Sequence, residues 1–130
     1  MKKINYTFEE LKDDCKSLAN DLRGNAIENI YGISRGGLIP AILLSHLLKK
    51  PLILDLKDCN QGTLIIDDIS DSGKTLKKIE KKLKFKPLTA TMWLDKDTKY
   101  LPTFWVKVKT KKEWVVFPWE LLKAKTKKDN

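Results

Sequence analysis

The stretch Leu64-Ile65-Ile66-Asp67-Asp68-Ile69-Ser70-Asp71-Ser72-Gly73-Lys74-Thr75-Leu76 decides the fold. Its first three residues are a continuous apolar run, the pattern of a strand buried on both faces of a parallel sheet. The run passes straight into adjacent carboxylates, then into small polar residues, and a helical pattern follows from Thr75. The acids can hold a divalent cation or polar hydroxyls. The Ser-Gly-Lys-Thr turn offers backbone N–H groups and hydroxyls at a helix N-terminus, where the dipole favours a phosphate. Together they read as a site for a phosphorylated sugar with Mg²⁺. A single Asp in such a place serves turns and caps. Three within five positions repel one another unless a ligand offsets their charge.

Outward from that stretch, the pattern alternates. Thr7-Phe8-Glu9-Glu10 is a capping box, with Tyr6 and Leu11 placed for a hydrophobic staple. Phe8, Leu11, Cys15, Leu18 and Leu22 recur at helical spacing, so a helix runs to about Arg23 and stops at Gly24. Strands are expected over Ile27–Ile33 and Leu52–Leu56, with an almost wholly apolar helix, Leu38–Leu48, between them and Lys49-Lys50-Pro51 ending it. A helix from Ser72 to about Leu83 follows the opening stretch. Strands over Thr89–Leu94, Phe104–Val108 and Trp114–Phe117 then lead to a terminal helix from about Trp119. This alternation predicts an α/β fold, a mainly parallel twisted sheet flanked by helices on both faces. Ligands in such sheets collect at the carboxyl ends of the strands, where both Ser34–Gly37 and Asp67–Thr75 fall.

The 130 residues suit one domain over 1–122, followed by a lysine-rich tail, 123–130, expected to be disordered. No apolar run reaches the roughly 20 residues of a membrane span, and no signal-peptide core follows Met1-Lys2-Lys3. Cys15 and Cys59 make neither a disulfide framework nor a CxxC metal site, so a cytoplasmic location is expected. The net charge of +9 comes almost wholly from lysine, Arg23 and Arg35 being the two arginines. Lysines 77, 78, 81, 82 and 84 read as a solvated helix face. An anionic small substrate accounts for a basic balance as well as a nucleic acid does.

Two motifs tempt and fail. Gly73-Lys74-Thr75 ends like a phosphate-cradling P-loop, but the required glycine five residues earlier is Asp68, whose charge repels phosphates. Gly32-Ile33-Ser34-Arg35-Gly36 matches a nucleophile elbow, yet the one histidine, His46, lies within the apolar helix just after it and no acid intervenes. Ser34-Arg35-Gly36-Gly37 reads better as an anion loop. Its glycines admit a close phosphate, the helix after it adds a dipole, and Arg35 adds a planar cation.

These residues resemble the type I phosphoribosyltransferases. The apolar strand followed by Asp-Asp, two residues and Asp-Ser-Gly-Lys-Thr is similar to their phosphoribosyl pyrophosphate (PRPP) signature. Tyr31 to Pro40, YGISRGGLIP, resembles the pyrophosphate loop of the xanthine–guanine branch. Trp114 to Glu120, WVVFPWE, is similar to the segment that closes over the purine there. The resemblance covers residues 6 to 122. It implies a small hood from the N- and C-terminal segments, and a purine phosphoribosyltransferase in nucleotide salvage. PRPP and a 6-oxopurine (guanine, xanthine or hypoxanthine) would be its substrates and Mg²⁺ its cofactor, in a homodimer or homotetramer.

By the same resemblance, Asp67 and Asp68 would engage the ribose hydroxyls, directly or through Mg²⁺. Asp71 would accept a proton at the purine N7. Ser72, Gly73, Lys74 and Thr75 would hold the 5′-phosphate. Ser34, Arg35 and Gly36 would hold pyrophosphate, with a cis peptide at Ser34–Arg35. Trp114 would stack on the base, Val115 would contact it through its backbone, and Lys96 would donate to the 6-oxo group. One departure stands out: the family's long mobile loop before the PRPP strand is reduced to about Lys57–Gly62. The expectation is weaker turnover, or cover from another subunit or segment. Two other readings stay open: a PRPP- or nucleotide-binding regulatory or RNA-binding protein with little catalysis, and transfer to adenine or a pyrimidine. Lys96 argues against the latter, because a cation cannot accept from an exocyclic amine.

Overall fold

The computed structural model describes residues 1–122; the tail and its expected disorder lie outside the described residues. A five-stranded parallel sheet forms its centre. In chain order it comprises β2 (Asn29–Gly32), β3 (Leu52–Ile53), β4 (Thr63–Ser70), β5 (Leu88–Asp95) and β6 (Phe104–Lys109), arranged 3-2-4-5-6. Three helices, α1 (Phe8–Leu22), α2 (Leu38–Leu48) and α3 (Lys74–Leu83), cover it. A separate two-stranded parallel sheet pairs β1 (Lys2–Asn5) with β7 (Glu113–Val116). It is the hood that the N- and C-terminal segments were expected to supply.

Leu64, Ile65 and Ile66 are fully buried, as a strand covered on both faces requires. Leu64 and Ile66 join α1, α2 and the hood in the larger core, with Leu11, Leu18, Leu44, Met92 and Phe117. Ile65 packs on the opposite face with Ile33 and Leu76, against Ile79 and Leu83 of α3. The two helices that leave β2 and β4 therefore lie on opposite faces. That makes the gap between β2 and β4 the switch point of the sheet, where a ligand crevice opens beyond the strand ends.

Local chemistry explains the boundaries. Thr7 caps α1, its Oγ accepting from the Glu10 N–H at 3.0 Å. The staple residues Tyr6 and Leu11 are buried, whereas Phe8 in the first turn is half exposed. β4 does not stop at Ile66: its pairing with β5 continues through Asp67↔Thr91, Ile69↔Trp93 and Ser70↔Leu94, so the acids belong to the strand. α3 starts at Lys74 rather than Ser72 because Gly73 takes φ +90°, outside the helical region. β2 is shorter than the Ile27–Ile33 expected. β3 ends after two residues instead of reaching Leu56, since Asp55 accepts from the Lys57 N–H (3.1 Å) and caps a 3-10 turn, Leu56–Asp58. The helix expected from Trp119 is, over the described residues, a 3-10 turn, Pro118–Leu122, with Trp119 stacked on Phe117 at 5.0 Å. β1 was not expected at all.

β5 returns to β6 through residues 96–103 without a helix. That short parallel crossover is held by Ser70, whose hydroxyl donates to the Tyr100 carbonyl (2.8 Å), and by the Thr89–Thr103 pair.

Candidate active site

All five strands of the main sheet run in one direction, so the loops after β2, β4, β5 and β6 emerge at one edge. Four groups of residues meet there: Ser34–Gly37, Asp67–Thr75, Asp95 and Lys109–Lys111.

The first two groups are locked together. The Ile33 N–H donates to the Ile66 carbonyl and the Gly37 N–H to the Ile33 carbonyl, folding the loop onto β4. A side chain at Gly36 would collide with the Asp68 carboxylate, and one at Gly37 with the Ile66 carbonyl. Only glycine lets the loop lie that close. The Ser34–Arg35 peptide is cis, and both residues are exposed toward solvent. Neither Ser34 nor the exposed His46 has a side-chain partner among the described residues, so nothing there resembles a nucleophile with its base.

Asp67 and Asp68 lie at the floor. The Asp68 N–H donates to Asp67 Oδ1 and the Ile69 N–H to Asp68 Oδ1, each at 2.8 Å. Burial, and then the neighbouring Asp68 charge, pushes the Asp67 carboxyl up from its ordinary value. Burial raises Asp68 too, against the hydrogen bonds it accepts, and Glu120 from the 3-10 turn adds like charge. Sequence reasoning gave Glu120 no role. Two adjacent buried acids with raised proton affinity suit a divalent cation or the hydroxyls of a sugar. Among the described residues no group of three or more His, Cys, Asp or Glu side chains could hold a metal by itself. The donor set therefore fits Mg²⁺ only where substrate phosphates and water complete the shell, the usual habit of that ion.

Asp67 to Leu76 line a cavity of about 180 Å³ over the start of α3. Gly73 presses against the Tyr100 backbone, the Lys99 N–H donates to the Ser72 carbonyl (3.0 Å), and the Lys74 N–H to the Ser72 hydroxyl (3.3 Å). Ser72, Gly73, Lys74 and Thr75 thus form a fixed turn with α3's free N–H groups above it, suited to a phosphate. A larger cavity, about 950 Å³, lies elsewhere, between α3 and Leu101, and shares only Lys74 with this cleft. Its walls include Lys77, Lys78, Lys81 and Lys84, the helix face read from the sequence as solvated.

Asp71 stands beside this turn, 45% exposed, and its Oδ1 meets two ammonium groups, Lys109 and Lys111, each at 3.3 Å. Lys109 is buried and donates also to Asp95 at 2.9 Å. Burial would raise Asp95, but the hydrogen bonds from Lys109, from the Asp97 N–H and from Lys111, with their charge, outweigh it and hold its pKa at about 2. Neither lysine was singled out from the sequence. The available signal was Phe104-Trp105-Val106-Lys107-Val108-Lys109: two lysines spaced by two on an apolar strand share one face. The register sets them against Trp93 and Asp95. Lys107 pairs with Glu10 and Asp14 and lies 5.1 Å over the Tyr6 ring.

The remaining expected residues are less tightly drawn in. Lys96 is exposed just past β5; its N–H donates to the Lys109 carbonyl, and its ammonium has no partner among the described residues. Trp114 sits on β7 with half its surface exposed, available to a ligand, while Val115 is buried and paired with Ile4.

No family model matches the chain. Among solved structures, the purine phosphoribosyltransferase from Pyrococcus horikoshii Ot3 superposes with a TM-score of 0.81 at 31% identity, covering 98% of this chain and 100% of that one. The xanthine-guanine-hypoxanthine phosphoribosyltransferase of Helicobacter pylori shares the fold, with a TM-score of 0.77 at 24% identity over 92% and 94% of the two chains. In sequence, the xanthine-guanine phosphoribosyltransferase of Cereibacter sphaeroides is 25% identical over 92% of this chain and 88% of its own. What these share with the sheet, hood and loops described above is the type I phosphoribosyltransferase fold. The chain belongs to the purine phosphoribosyltransferase family.

Proposed function

We propose that the protein transfers the 5-phosphoribosyl group of PRPP to a 6-oxopurine, giving the nucleoside monophosphate and pyrophosphate. The observation that carries this reading is the contact of Gly36 with Asp68, which sets two anion-suited loops on either side of paired acids. PRPP carries phosphate at both ends of its ribose, which one anion-suited loop on each side of the acids would accommodate.

In the reaction, purine N9 bonds to the ribose anomeric carbon. The bond from that carbon to oxygen breaks, its electron pair leaves with pyrophosphate, and the N7 proton passes to Asp71. The transition state is a cationic sugar, so the chain must mostly position and balance charge. Asp67 and Asp68 face the ribose hydroxyls and would hold Mg²⁺ jointly with substrate oxygens. Bound there, the ion would supply positive charge to offset that of the pyrophosphate. Ser72 to Thr75 hold the 5′-phosphate, and Ser34, Arg35 and Gly36 the pyrophosphate. Trp114 supplies a flat wall worth about 1–3 kcal/mol per stacked base, Val115 a backbone contact, and Lys96 a donor to the 6-oxo group. Purine phosphoribosyltransferases generally use Mg²⁺ with PRPP, which supports this cofactor. The test is nucleotide formation from PRPP, Mg²⁺ and each purine base. Nucleotide from at least one oxopurine supports the reading, and none from any base removes it.

A cytoplasmic location belongs to the same proposal. Both cysteines are free, and among the described residues no helix is long and apolar enough to cross a membrane. So do a single domain over 1–122 and a homo-oligomer. The edge strand β3 exposes Leu52, the chain just past it exposes Leu54, and the neighbouring α2 exposes Leu38 and Ile42, an apolar surface that suits a second copy. The segment 54–62 between β3 and β4 is a compact turn, with the Asn60 N–H on Thr63 and the Gly62 N–H on Asn60, too short to close over the ribose. Cover must come from a partner or turnover stays low. Leu54→Asp with Ile42→Asp is expected to yield a monomer by light scattering, with turnover no higher than the parent's. A wild-type monomer turning over as fast as long-loop relatives contradicts this account.

A further inference from the structure

We propose that Lys109 is a positioning residue for Asp71: one buried ammonium at the end of β6 ties the Asp71 loop to the buried carboxylate of Asp95. The inference rests on the role of Asp71 given above. Lys109 Nζ lies 2.9 Å from Asp95 Oδ2, 3.3 Å from Asp71 Oδ1 and 3.4 Å from the Thr110 carbonyl. An ammonium has three protons, and three acceptors surround it. A pair serving only the fold would need Asp95 alone, and the contact to Asp71 is additional.

Asp95 is the fixed end of the link. It is fully buried, it accepts from the Asp97 N–H at 2.9 Å, and its strand is paired on both sides. Asp71 is the end that the link positions. It follows the last residue of β4, and among the described residues its carboxylate has no partner except Lys109 and Lys111. Lys111 is 54% exposed on the turn between β6 and β7 and also reaches Asp95 at 3.3 Å. Exposed pairs contribute little and are screened by salt, so the buried Lys109 sets the geometry. A proton acceptor must be held to a fraction of an ångström, because a displacement of about 1 Å can cost on the order of 10²-fold in rate.

Removing Lys109 alone would strand the buried Asp95 charge, so both members are removed together in Asp95→Asn with Lys109→Met. The readout is kcat and KM for PRPP, in the wild type and in an Asp71→Asn background, with thermal melting to confirm folding. The link predicts a kcat lower by about 10- to 100-fold with KM little changed. In the Asp71→Asn background the same pair of changes should alter kcat by no more than about twofold, because the residue it positions is already gone. An equal loss in both backgrounds, or no loss in either, overturns the proposal while leaving Asp71 its role. An Asp71→Asn enzyme as fast as the wild type removes that role and the proposal with it. A wild type that makes no nucleotide withdraws the enzymatic reading itself.

Discussion

Asp71→Asn is expected to lower nucleotide formation by about 10² to 10⁴-fold, the usual share of a positioned general base, while PRPP still binds. The amide keeps the shape of the carboxylate but cannot take the N7 proton. It stands outside the ribose and phosphate contacts assigned to Asp67, Asp68 and Ser72 to Thr75, so PRPP affinity should change little. Its ion pairs with Lys109 and Lys111 are lost, but Lys109 keeps its pairing with Asp95. Turnover and PRPP titration on the same preparation check the prediction. A variant that binds no PRPP would mean that Asp71 belongs to the sugar site, and an unimpaired one that the proton goes elsewhere.

The second large effect concerns Asp67, and its sign is counterintuitive. Asp67→Asn is expected to abolish PRPP-dependent turnover and to stabilise the ligand-free protein. Burial and the Asp68 charge raise the Asp67 carboxyl, so the folded state holds a proton that the unfolded chain has released. Wherever the folded state binds more protons, stability falls as pH rises, here upward from the ordinary carboxylate range. The ligand-free wild type should lose stability through that window, and the Asn variant should lose less, the remainder coming from buried Asp68. Relief of a buried, poorly compensated acid is worth roughly 1–3 kcal/mol, a rise in Tm of several degrees for a chain of this size. Melting curves at several pH values, without Mg²⁺ or PRPP, read this directly. A wild type whose Tm rises over the same window would show that Asp67 is already compensated.

These expectations also show how the sequence encodes the site. Leu64-Ile65-Ile66 announced a strand buried on both faces, and the spacing of Asp67, Asp68, Asp71 and the Ser-Gly-Lys-Thr turn announced the cleft. Both are local patterns whose physics acts within a few residues. That β4 continues through its acids was hidden, because strand pairing is a property of two chain segments and Asp reads locally as a turn. β1 was hidden for the same reason: Lys2-Lys3-Ile4-Asn5 holds one apolar residue and becomes a strand by pairing with β7, more than a hundred residues later. The network around Asp71 was the least legible part. In a chain carrying 26 Lys and Arg residues, a further lysine reads as surface. Only the register of Lys109 against Asp95 reveals that one of them is buried and paired. Trp114 and Lys96, by contrast, were named through family resemblance alone, and the structure leaves both exposed.

Incubating the protein with PRPP, Mg²⁺ and guanine, xanthine, hypoxanthine or adenine in parallel tests the central claim most directly. Nucleoside monophosphate and pyrophosphate are expected in equal amounts from one or more oxopurines, and none from adenine. Binding of PRPP with no nucleotide from any base would contradict it, and would leave a chain of this family that recognises the sugar phosphate without transferring it.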